Sequence, residues 1–424
     1  MLSLSKNTIL QKIFHKYLPM LAESEDLDTD TIERAVAQGT MVLLANPAHE
    51  NVAPILVGQP ARIKVNANIG TSPFMNDKDL EMKKLDLARA VGAHTVMDLS
   101  TAGDLKGIRK EMLDRCSLPL GTVPIYSTAQ KYIAQKKDPA MFSETELLEE
   151  IAGQAEQGVD FMTVHCGVTA RAAALAKESG RVMGVVSRGG SILVRWMAGH
   201  KKENPLLTHF DELLDIALAH NVTLSLGDGL RPGAGADAGD PAQWEEVIVL
   251  GQLTRKAWER GVQVMIEGPG HVPLHLIQGQ IQGIKRLCHG APLYVLGPLT
   301  TDSAPGFDHI SGAIGGAMAA YFGADFLCYL TPAEHLTLPE EEDVRLGVLA
   351  SLIAAQSAEV ALGRPAAVTR DLEISRARAG LDWEKMAGLA LDPPTVRNRR
   401  FGFDDKDECA MCGGFCALKM LKDF

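Results

Sequence analysis

Short apolar runs alternate with longer helical stretches along most of this chain. Nine such runs occur between about residue 61 and residue 336, and each ends in polar or glycine-rich residues. This alternation indicates a parallel sheet, because each parallel crossover is usually made by a helix. It predicts an α/β fold built on a (β/α)8 barrel. The candidate strands are 63–68, 95–99, 121–125, 161–165, 183–186, 223–226, 263–267, 292–296 and 325–329.

A barrel of this type has eight strands, so one of the nine runs must be an additional element. An open, doubly wound sheet is the alternative arrangement of alternating strands and helices. That alternative is less favoured, because no Gly-x-Gly-x-x-Gly turn follows the first candidate strand.

The sequence predicts three further regions outside the barrel, one before it and two after it. Residues 1–60 combine helical patterns with a short extended segment, Met41–Ala45, and we interpret them as a small N-terminal domain. The barrel catalytic domain is assigned to 61–336. The apolar spacing in 337–392 predicts a helical C-terminal region. The final stretch, 393–424, is charged and poor in aliphatic residues, which is typical of a flexible arm.

Composition excludes several classes of protein. The net charge of −11 argues against a nucleic-acid-binding surface. No uninterrupted apolar run approaches the length of a membrane span. Seven cysteines are an odd number, and four of them are scattered in apolar contexts, as expected in a reducing compartment. We therefore expect a cytoplasmic protein that binds neither nucleic acid nor membrane.

Three cysteines near the C-terminus, Cys409, Cys412 and Cys416, form a C-x2-C-x3-C run. Three thiolates this close in sequence can hold three irons of a 4Fe–4S cluster and leave the fourth iron open to another ligand. A structural zinc would normally require a fourth Cys or His, and residues 417–424 contain none. Three unligated thiols of a reduced protein are the remaining alternative.

Polar side chains follow the candidate strands, at the end where a barrel of this kind carries its chemistry. Such residues often only cap the next helix, which explains one or two cases well and eight together poorly. A polar active site is therefore predicted at this face. The strand-end residues are Asn68, Asp98–Ser100, Tyr126, His165, Ser187–Gly190, Asp228–Arg231, Glu267–His271 and Tyr294.

The segment Ser187–Gly190 leads from a candidate strand toward a helix. Its glycines would let backbone N–H groups approach an anion, and Arg188 could clamp that anion. A phosphate site is the functional interpretation, and a tight turn with a surface arginine is the alternative. The segment Asp228–Arg231 is similar but less specific, because its Asp and Arg could pair with each other.

Histidines near two strand ends suggest a metal site. Glu267 and His271 stand on one rigid turn, and His335 follows the ninth apolar run. Two histidines from different strand ends can share a metal ion and leave positions open for substrate. Other choices stay open from the sequence alone, because His275 and His309 lie nearby in sequence.

Together these motifs resemble the phosphomethylpyrimidine synthase family of radical S-adenosylmethionine enzymes. The resemblance covers nearly the whole chain from Ile63 onward. Besides the cysteine run, it rests on 66–70 (NANIG), 96–100 (VMDLS), 121–126 (GTVPIY), 186–190 (VSRGG), 226–233 (LGDGLRPG), 267–273 (EGPGHVP) and 296–302 (LGPLTTD).

The resemblance implies a homodimer in which a C-terminal arm brings its iron–sulfur cluster over the neighbouring subunit's barrel. It implies aminoimidazole ribotide as substrate, S-adenosylmethionine as cosubstrate, an external one-electron donor, and a zinc or iron ion on His271 and His335. Glu267, Tyr294 and His165 would be catalytic. The substrate-binding residues that it implies are Asn68, Met97, Tyr126, His165, Ser187, Arg188, Gly189, Asp228, Gly229, Leu230, Arg231, Glu267 and Tyr294.

Some positions depart from the pattern expected of the thiamin enzymes. Residues 41–52 do not look like the expected Pro-Lys-Asn stretch, Phe307 replaces an expected Tyr, and Gln356 replaces an expected His. These changes look more like the paralogue that makes 5-hydroxybenzimidazole, the anaerobic precursor of the cobalamin lower ligand. We therefore expect that product, formed by a radical rearrangement of the ribotide. A phosphomethylpyrimidine synthase with the same substrate is the alternative.

Two functions of other classes are also compatible with parts of the sequence. One is a metal-dependent barrel lyase whose cysteines bind zinc. The other is a non-catalytic iron–sulfur carrier, which would have no need of the polar strand ends.

Overall fold

A computed structural model of the chain describes residues 1–403 and 406–420. The chain divides into two compact units, Met1–Ala355 and Gln356–Phe424. The barrel belongs to the first unit. The finer domain boundaries given above, after residues 60, 336 and 392, stay a prediction.

The first 60 residues form two helices and a two-stranded antiparallel sheet. Helix α1 begins after Asn7, whose side-chain oxygen accepts a hydrogen bond from the N–H of Leu10 at 2.8 Å and so caps the helix. The predicted extended segment is confirmed as strand β1. These elements are α1 (Thr8–Glu25), α2 (Thr29–Gln38), β1 (Val42–Leu44) and β2 (Ile55–Val57).

Eight parallel strands close into a barrel, in which neighbours in sequence pair and the last strand pairs with the first. The predicted (β/α)8 barrel is therefore confirmed. Nearly every strand residue is buried, as expected when helices cover a parallel sheet. The strands are β3 (Lys64–Ile69), β4 (Thr95–Asp98), β5 (Leu120–Thr122), β6 (Phe161–Val164), β7 (Thr223–Leu226), β8 (Val264–Glu267), β9 (Leu293–Leu296) and β10 (Phe326–Cys328).

Helices connect the successive strands, with two between β5 and β6 and four between β6 and β7. The helices are α3 (Lys78–Val91), α4 (Leu105–Arg115), α5 (Pro124–Ala134), α6 (Glu144–Gln157), α7 (Ala170–Glu178), α8 (Arg188–His200), α9 (Pro205–Thr208), α10 (Phe210–His220), α11 (Pro241–Arg260), α12 (Ile277–Leu287) and α13 (Asp308–Tyr321).

The fifth apolar run, 183–186, is the additional element, and its prediction as a strand is wrong. It lies in the loop between α7 and α8. Gly184 adopts a φ of +61°, which is incompatible with an extended strand. The N–H groups of Val182 and Met183 bond to the carboxylate of Asp237, at 2.8 and 3.0 Å, instead of to a neighbouring strand.

The N-terminal end of the barrel is closed by the segment that contains the small antiparallel sheet. Asp160, just before β6, accepts hydrogen bonds from the N–H of Asn46 at 2.7 Å and binds Nδ1 of His49 at 2.8 Å. Asp325, just before β10, accepts the N–H of Gln59 at 2.7 Å. Both carboxylates are buried, so this segment shields them from solvent.

The predicted helical region after the barrel is confirmed. It comprises α14 (Glu341–Ala361), α15 (Pro365–Ala379), α16 (Trp383–Leu389) and α17 (Pro393–Arg400), and a short helix, α18 (Ala417–Met420), follows the cysteine run. Among the described residues, α14 alone is long and apolar enough to cross a membrane, and 44% of its apolar window is buried. The predicted arm thus begins as a helix, while its residues 404, 405 and 421–424 lie outside the described ones.

Candidate active site

The C-terminal ends of the barrel strands surround a cavity whose empty space, together with the open solvent at its mouth, is about 500 Å3. A cavity with convergent polar groups is a candidate site for a small ligand. The structure brings eight of the thirteen predicted binding residues together in its lining, and their roles stay predictions. They are Asn68, Met97, Tyr126, His165, Asp228, Arg231, Glu267 and Tyr294.

Glu267 ends strand β8 and is held by two hydroxyl groups. Thr163 Oγ1 donates to its Oε1 at 2.6 Å, and Ser225 Oγ donates to the same oxygen at 2.9 Å. Burial raises the pKa of Glu267 above its usual value, and these hydroxyl bonds oppose the rise. A carboxyl group with a raised pKa in a cavity can exchange a proton with a bound ligand near neutral pH.

His165 follows strand β6 and is buried against the loop that precedes α8. Its Nε2 lies 3.2 Å from Ser187 Oγ, while its Nδ1 is buried without a partner among the described residues. Burial lowers the pKa of His165 to about 3, so the ring is neutral. A Cβ at Gly189 would lie 2.3 Å from the ring, which shows how closely the backbone approaches it.

Two segments meet beside the cavity. We call them the serine loop (Ser187–Gly190), which consists of the N-cap and the first residues of α8, and the aspartate loop (Asp228–Arg231). Ser187 caps α8, because its Oγ accepts the N–H of Gly190 at 3.2 Å. A Cβ at Gly190 would lie 2.2 Å from the carbonyl oxygen of Gly229. The two loops therefore contact each other through backbone, at a distance that a side chain at Gly190 would not allow.

The aspartate loop contributes a buried ion pair to the cavity. Arg231 Nη1 lies 3.0 Å from Asp228 Oδ1, so the pairing considered from sequence does form. Burial raises the pKa of Asp228 to about 8, although Arg231 opposes the rise. Its second oxygen, Oδ2, is buried with no partner in the described part of the chain. The loop can thus offer both a cation and a carboxyl group to a ligand.

A network of amide, phenol and thiol groups forms the opposite part of the cavity lining. Asn66 Nδ2 donates to the Tyr294 hydroxyl at 2.8 Å and to Asn68 Oδ1 at 2.7 Å. Asn68 Nδ2 in turn lies 3.0 Å from Cys328 Sγ. Burial raises the pKa of Cys328 to about 12 and that of Tyr294 well above its usual value. Both groups are therefore protonated and can act as donors to a ligand.

The remaining predicted binding residues adjoin the cavity rather than line it. Arg188 is exposed, and its guanidinium carbon lies 4.8 Å from the centre of the Tyr126 ring, as in a cation–π contact. Leu230 is fully buried and contributes its backbone groups. The residues in this set are Ser187, Arg188, Gly189, Gly229 and Leu230.

Several residues of the site were not predicted from the sequence. Thr163 and Cys328 line the cavity. Ser225 does not line it but donates a hydrogen bond to Glu267. Glu246, on α11, is buried beneath the aspartate loop, and burial raises its pKa well above the usual value. The polar residues Thr163 and Ser225 inside apolar strands were the only sequence signal, and it is a weak one.

The two histidines predicted to bind a metal lie side by side. The ring centres of His271 and His335 are 5.3 Å apart. Nδ1 of His271 is 2.6 Å from Asp302 Oδ1, and Nδ1 of His335 is 3.4 Å from Asp308 Oδ1. Carboxylates in these positions orient metal-binding imidazoles in many proteins. The described residues contain no group of three or more His, Cys, Asp or Glu side chains arranged to hold a metal.

In the cysteine run of the second unit, the contact with Cys409 raises the pKa of Cys412, whereas Cys409 itself favours the thiolate form. The N–H groups of Cys412 and Met411 bond to the sulfur of Cys409 and lower its pKa. The N–H of Gly413 donates to the carbonyl of Cys409 at 3.2 Å, which folds the chain back at the first cysteine. Because iron binds the thiolate form, this donor set fits an iron–sulfur cluster.

Comparisons with known proteins agree on one family. The model of the Radical SAM ThiC family matches residues 6–423. A phosphomethylpyrimidine synthase of Methanocaldococcus jannaschii is 48% identical, with 97% of each chain covered. The enzymes of the same name from a Thermoanaerobacter species and from Methanopyrus kandleri are also 48% identical, with 98% and 95% of this chain and 96% and 95% of theirs covered.

Solved structures show only a distant likeness. A dihydropteroate synthase of Coxiella burnetii is 12% identical, with a TM-score of 0.41 over 70% of this chain and 94% of that one. An aldolase of Thermotoga maritima, phospho-2-dehydro-3-deoxyheptonate aldolase, is 11% identical with a TM-score of 0.40, over 73% and 71%. Likenesses at this level carry no argument about function.

The expectation that the product is 5-hydroxybenzimidazole is wrong, because the similar full-length relatives are phosphomethylpyrimidine synthases. Two of the departures that favoured it, Phe307 and the segment 41–52, do not line the cavity. Phe307 is 60% exposed, and Gln356 donates to the carbonyl of Ala367 at 3.1 Å. In the segment 41–52, Asn46 and His49 bind Asp160 at the opposite end of the barrel.

Proposed function

This chain belongs to the Radical SAM ThiC family, and we propose that it is a phosphomethylpyrimidine synthase. Its substrate would be aminoimidazole ribotide and its product the phosphorylated pyrimidine of thiamin. The observation that carries this proposal is 48% identity to enzymes of that name over nearly the full length of both chains. The polar cavity at the strand ends supports it, since a carrier protein would need no such cavity.

The cofactors follow from the family and from the cysteine run. Cys409, Cys412 and Cys416 would hold the cluster, which with bound S-adenosylmethionine would supply the radical chemistry of the reaction. An external donor would provide the electron. The rest of the protein then has to bind the ribotide, orient its ribose and keep water away.

The serine and aspartate loops are the proposed phosphate site. Ser187 stands at the N-terminus of α8, where the helix dipole and the backbone N–H groups favour an anion. Arg231 supplies a cation inside the cavity, and Arg188 supplies one at its rim. A planar guanidinium suits phosphate oxygens, so the two arginines can bind the anion from different sides.

Glu267 is the proposed group for proton transfer at the imidazole of the substrate. Its hydroxyl contacts fix the carboxyl group in the cavity, and its raised pKa lets it both accept and release a proton. The neutral ring of His165 and the hydroxyl of Tyr294 would hydrogen-bond to the substrate without carrying charge.

We also assign the predicted zinc or iron ion to His271 and His335 as part of the proposal. The carboxylates of Asp302 and Asp308 support it, because each faces the Nδ1 of one ring. A homodimer is a further part of the proposal. Mixing the inactive variants C412S and E267Q tests it, since regained activity requires one subunit's cluster to serve the other's barrel.

Product analysis tests the proposed function directly. The purified protein would be reconstituted anaerobically with iron and sulfide, then incubated with aminoimidazole ribotide, S-adenosylmethionine and a reductant. Mass spectrometry should detect a phosphorylated pyrimidine, and the E267Q variant should form none. A benzimidazole product, or no cleavage of S-adenosylmethionine by a protein loaded with iron and sulfide, would refute the proposal.

A further inference from the structure

Arg181 is a buried arginine outside the proposed machinery, and its side chain is only 1% exposed. It lies in the loop between α7 and α8. Its Nε and Nη2 donate to both carboxylate oxygens of Asp240, at 2.7 and 2.6 Å. Nη2 also donates to the carbonyl of Leu230 at 2.6 Å, and Nη1 to that of Gly184 at 3.1 Å. One guanidinium therefore binds a carboxylate and two backbone carbonyls.

One of the two carbonyls belongs to a loop that would hold the phosphate, and the other belongs to the segment that leads into the second loop. Leu230 is part of the aspartate loop and immediately precedes Arg231 in sequence. Gly184 stands three residues before Ser187, where the serine loop begins. The Arg181 side chain thus connects the aspartate loop to the segment that leads into the serine loop, in addition to the backbone contact between the loops at Gly190 and Gly229.

Other buried charges anchor the same two segments. The N–H of Leu230 donates to Glu246 Oε2 at 2.8 Å, so both backbone groups of this residue are bound by side chains. Asp237 accepts the N–H groups of Val182 and Met183, next to Arg181 in the chain. Asp240 also caps the 20-residue helix α11, so the carboxylate that binds Arg181 is fixed at the N-terminus of that helix.

We infer that Arg181 is a positioning residue that sets the spacing of the serine and aspartate loops, so that both can bind one phosphate group of the substrate. It acts through Leu230 and Gly184 and does not itself line the cavity. This inference rests on the proposed function, since it takes a sugar phosphate as the ligand.

An arginine is required for this role. A lysine would place a single ammonium group near Asp240, but it lacks the planar fork that reaches a carboxylate and two carbonyls at once. R181K therefore keeps the charge and the buried ion pair while it releases at least one loop. D240N is a second variant, because it leaves Arg181 in place and removes the charge that orients it.

The test compares the ribotide with the riboside that lacks its phosphate. The KM for aminoimidazole ribotide should rise about tenfold or more in R181K and in D240N, as expected when binding groups are misplaced by a fraction of an ångström. The inhibition constant of aminoimidazole riboside should stay unchanged, and kcat should change less than KM. A purely structural role would instead lower kcat and the melting temperature together and leave KM as it was.

R195K is the matched control, because Arg195 forms a comparable two-oxygen contact with Asp138 on the exposed side of α8. R195K should leave unchanged both the KM for the ribotide and the inhibition constant of the riboside. An unchanged KM for the ribotide in folded R181K and D240N would overturn this inference and leave the proposed function intact. Failure of the wild-type protein to bind the ribotide at all would overturn the proposed function as well.

Discussion

Gly190→Ala is the sharpest steric test of the two-loop site. The Cβ of alanine would start 2.2 Å from the carbonyl oxygen of Gly229, and such contacts are not found below 3.0 Å. The loops must therefore separate by about 0.8 Å, because backbone stands on both sides of the contact. A displacement near 1 Å of binding groups can lower activity about 100-fold, and we expect a loss of that order in kcat/KM.

The effect on stability should be small by comparison. Overpacking costs about 1–3 kcal/mol, while alanine in place of glycine within helix α8 recovers up to about 1 kcal/mol. The assay is anaerobic turnover of the ribotide with denaturant unfolding measured in parallel. G199A is the matched control, because Gly199 lies in the same helix with nothing within 4 Å of its would-be Cβ. Activity of G190A within about twofold of the wild type would refute the steric reasoning.

Three further predictions concern other parts of the molecule. T163V should raise the pKa of Glu267 further, because a hydrogen bond to the ionised carboxylate is lost. The part of the pH profile of kcat/KM that depends on Glu267 should then move to higher pH. An unchanged pH profile would count against a role of Glu267 in proton transfer. D160N should destabilise the barrel by about 3 kcal/mol in denaturant unfolding, whereas the exposed-pair control E144Q should cost less than about 1 kcal/mol. C412S should lose bound iron and its visible absorbance while the main unfolding transition stays in place, and retained absorbance would contradict cluster ligation by this thiol.

The barrel could be predicted because each of its strands is an apolar run long enough to stand out between helices. The run at 183–186 has the same composition and is a loop. Its conformation depends on Gly184 and on hydrogen bonds from Val182 and Met183 to Asp237, some fifty residues away in sequence. Long-range contacts of this kind outweigh the local preference for a strand, and a local sequence pattern does not reveal them.

The cavity lining could be predicted in large part because barrel topology gathers strand ends at one face. The hydroxyl groups that hold the Glu267 carboxylate could not be predicted. Thr163 and Ser225 are direct partners in neighbouring strands, and only the register of β6 and β7 places their hydroxyls beside the carboxylate. The choice of product failed for a related reason, since the sequence does not show that Phe307 is absent from the cavity lining.

The closed end of the barrel has a consequence during synthesis on the ribosome. Gln59 binds Asp325, and the backbone of Leu43 binds the side chain of Gln263, so the first sixty residues depend on partners made more than two hundred residues later. At 5–20 residues per second, the nascent segment waits roughly 10–50 s before these contacts can form. Throughout that interval the apolar strand Val42–Leu44 has no barrel to cover it, which makes this stretch the natural target of a chaperone.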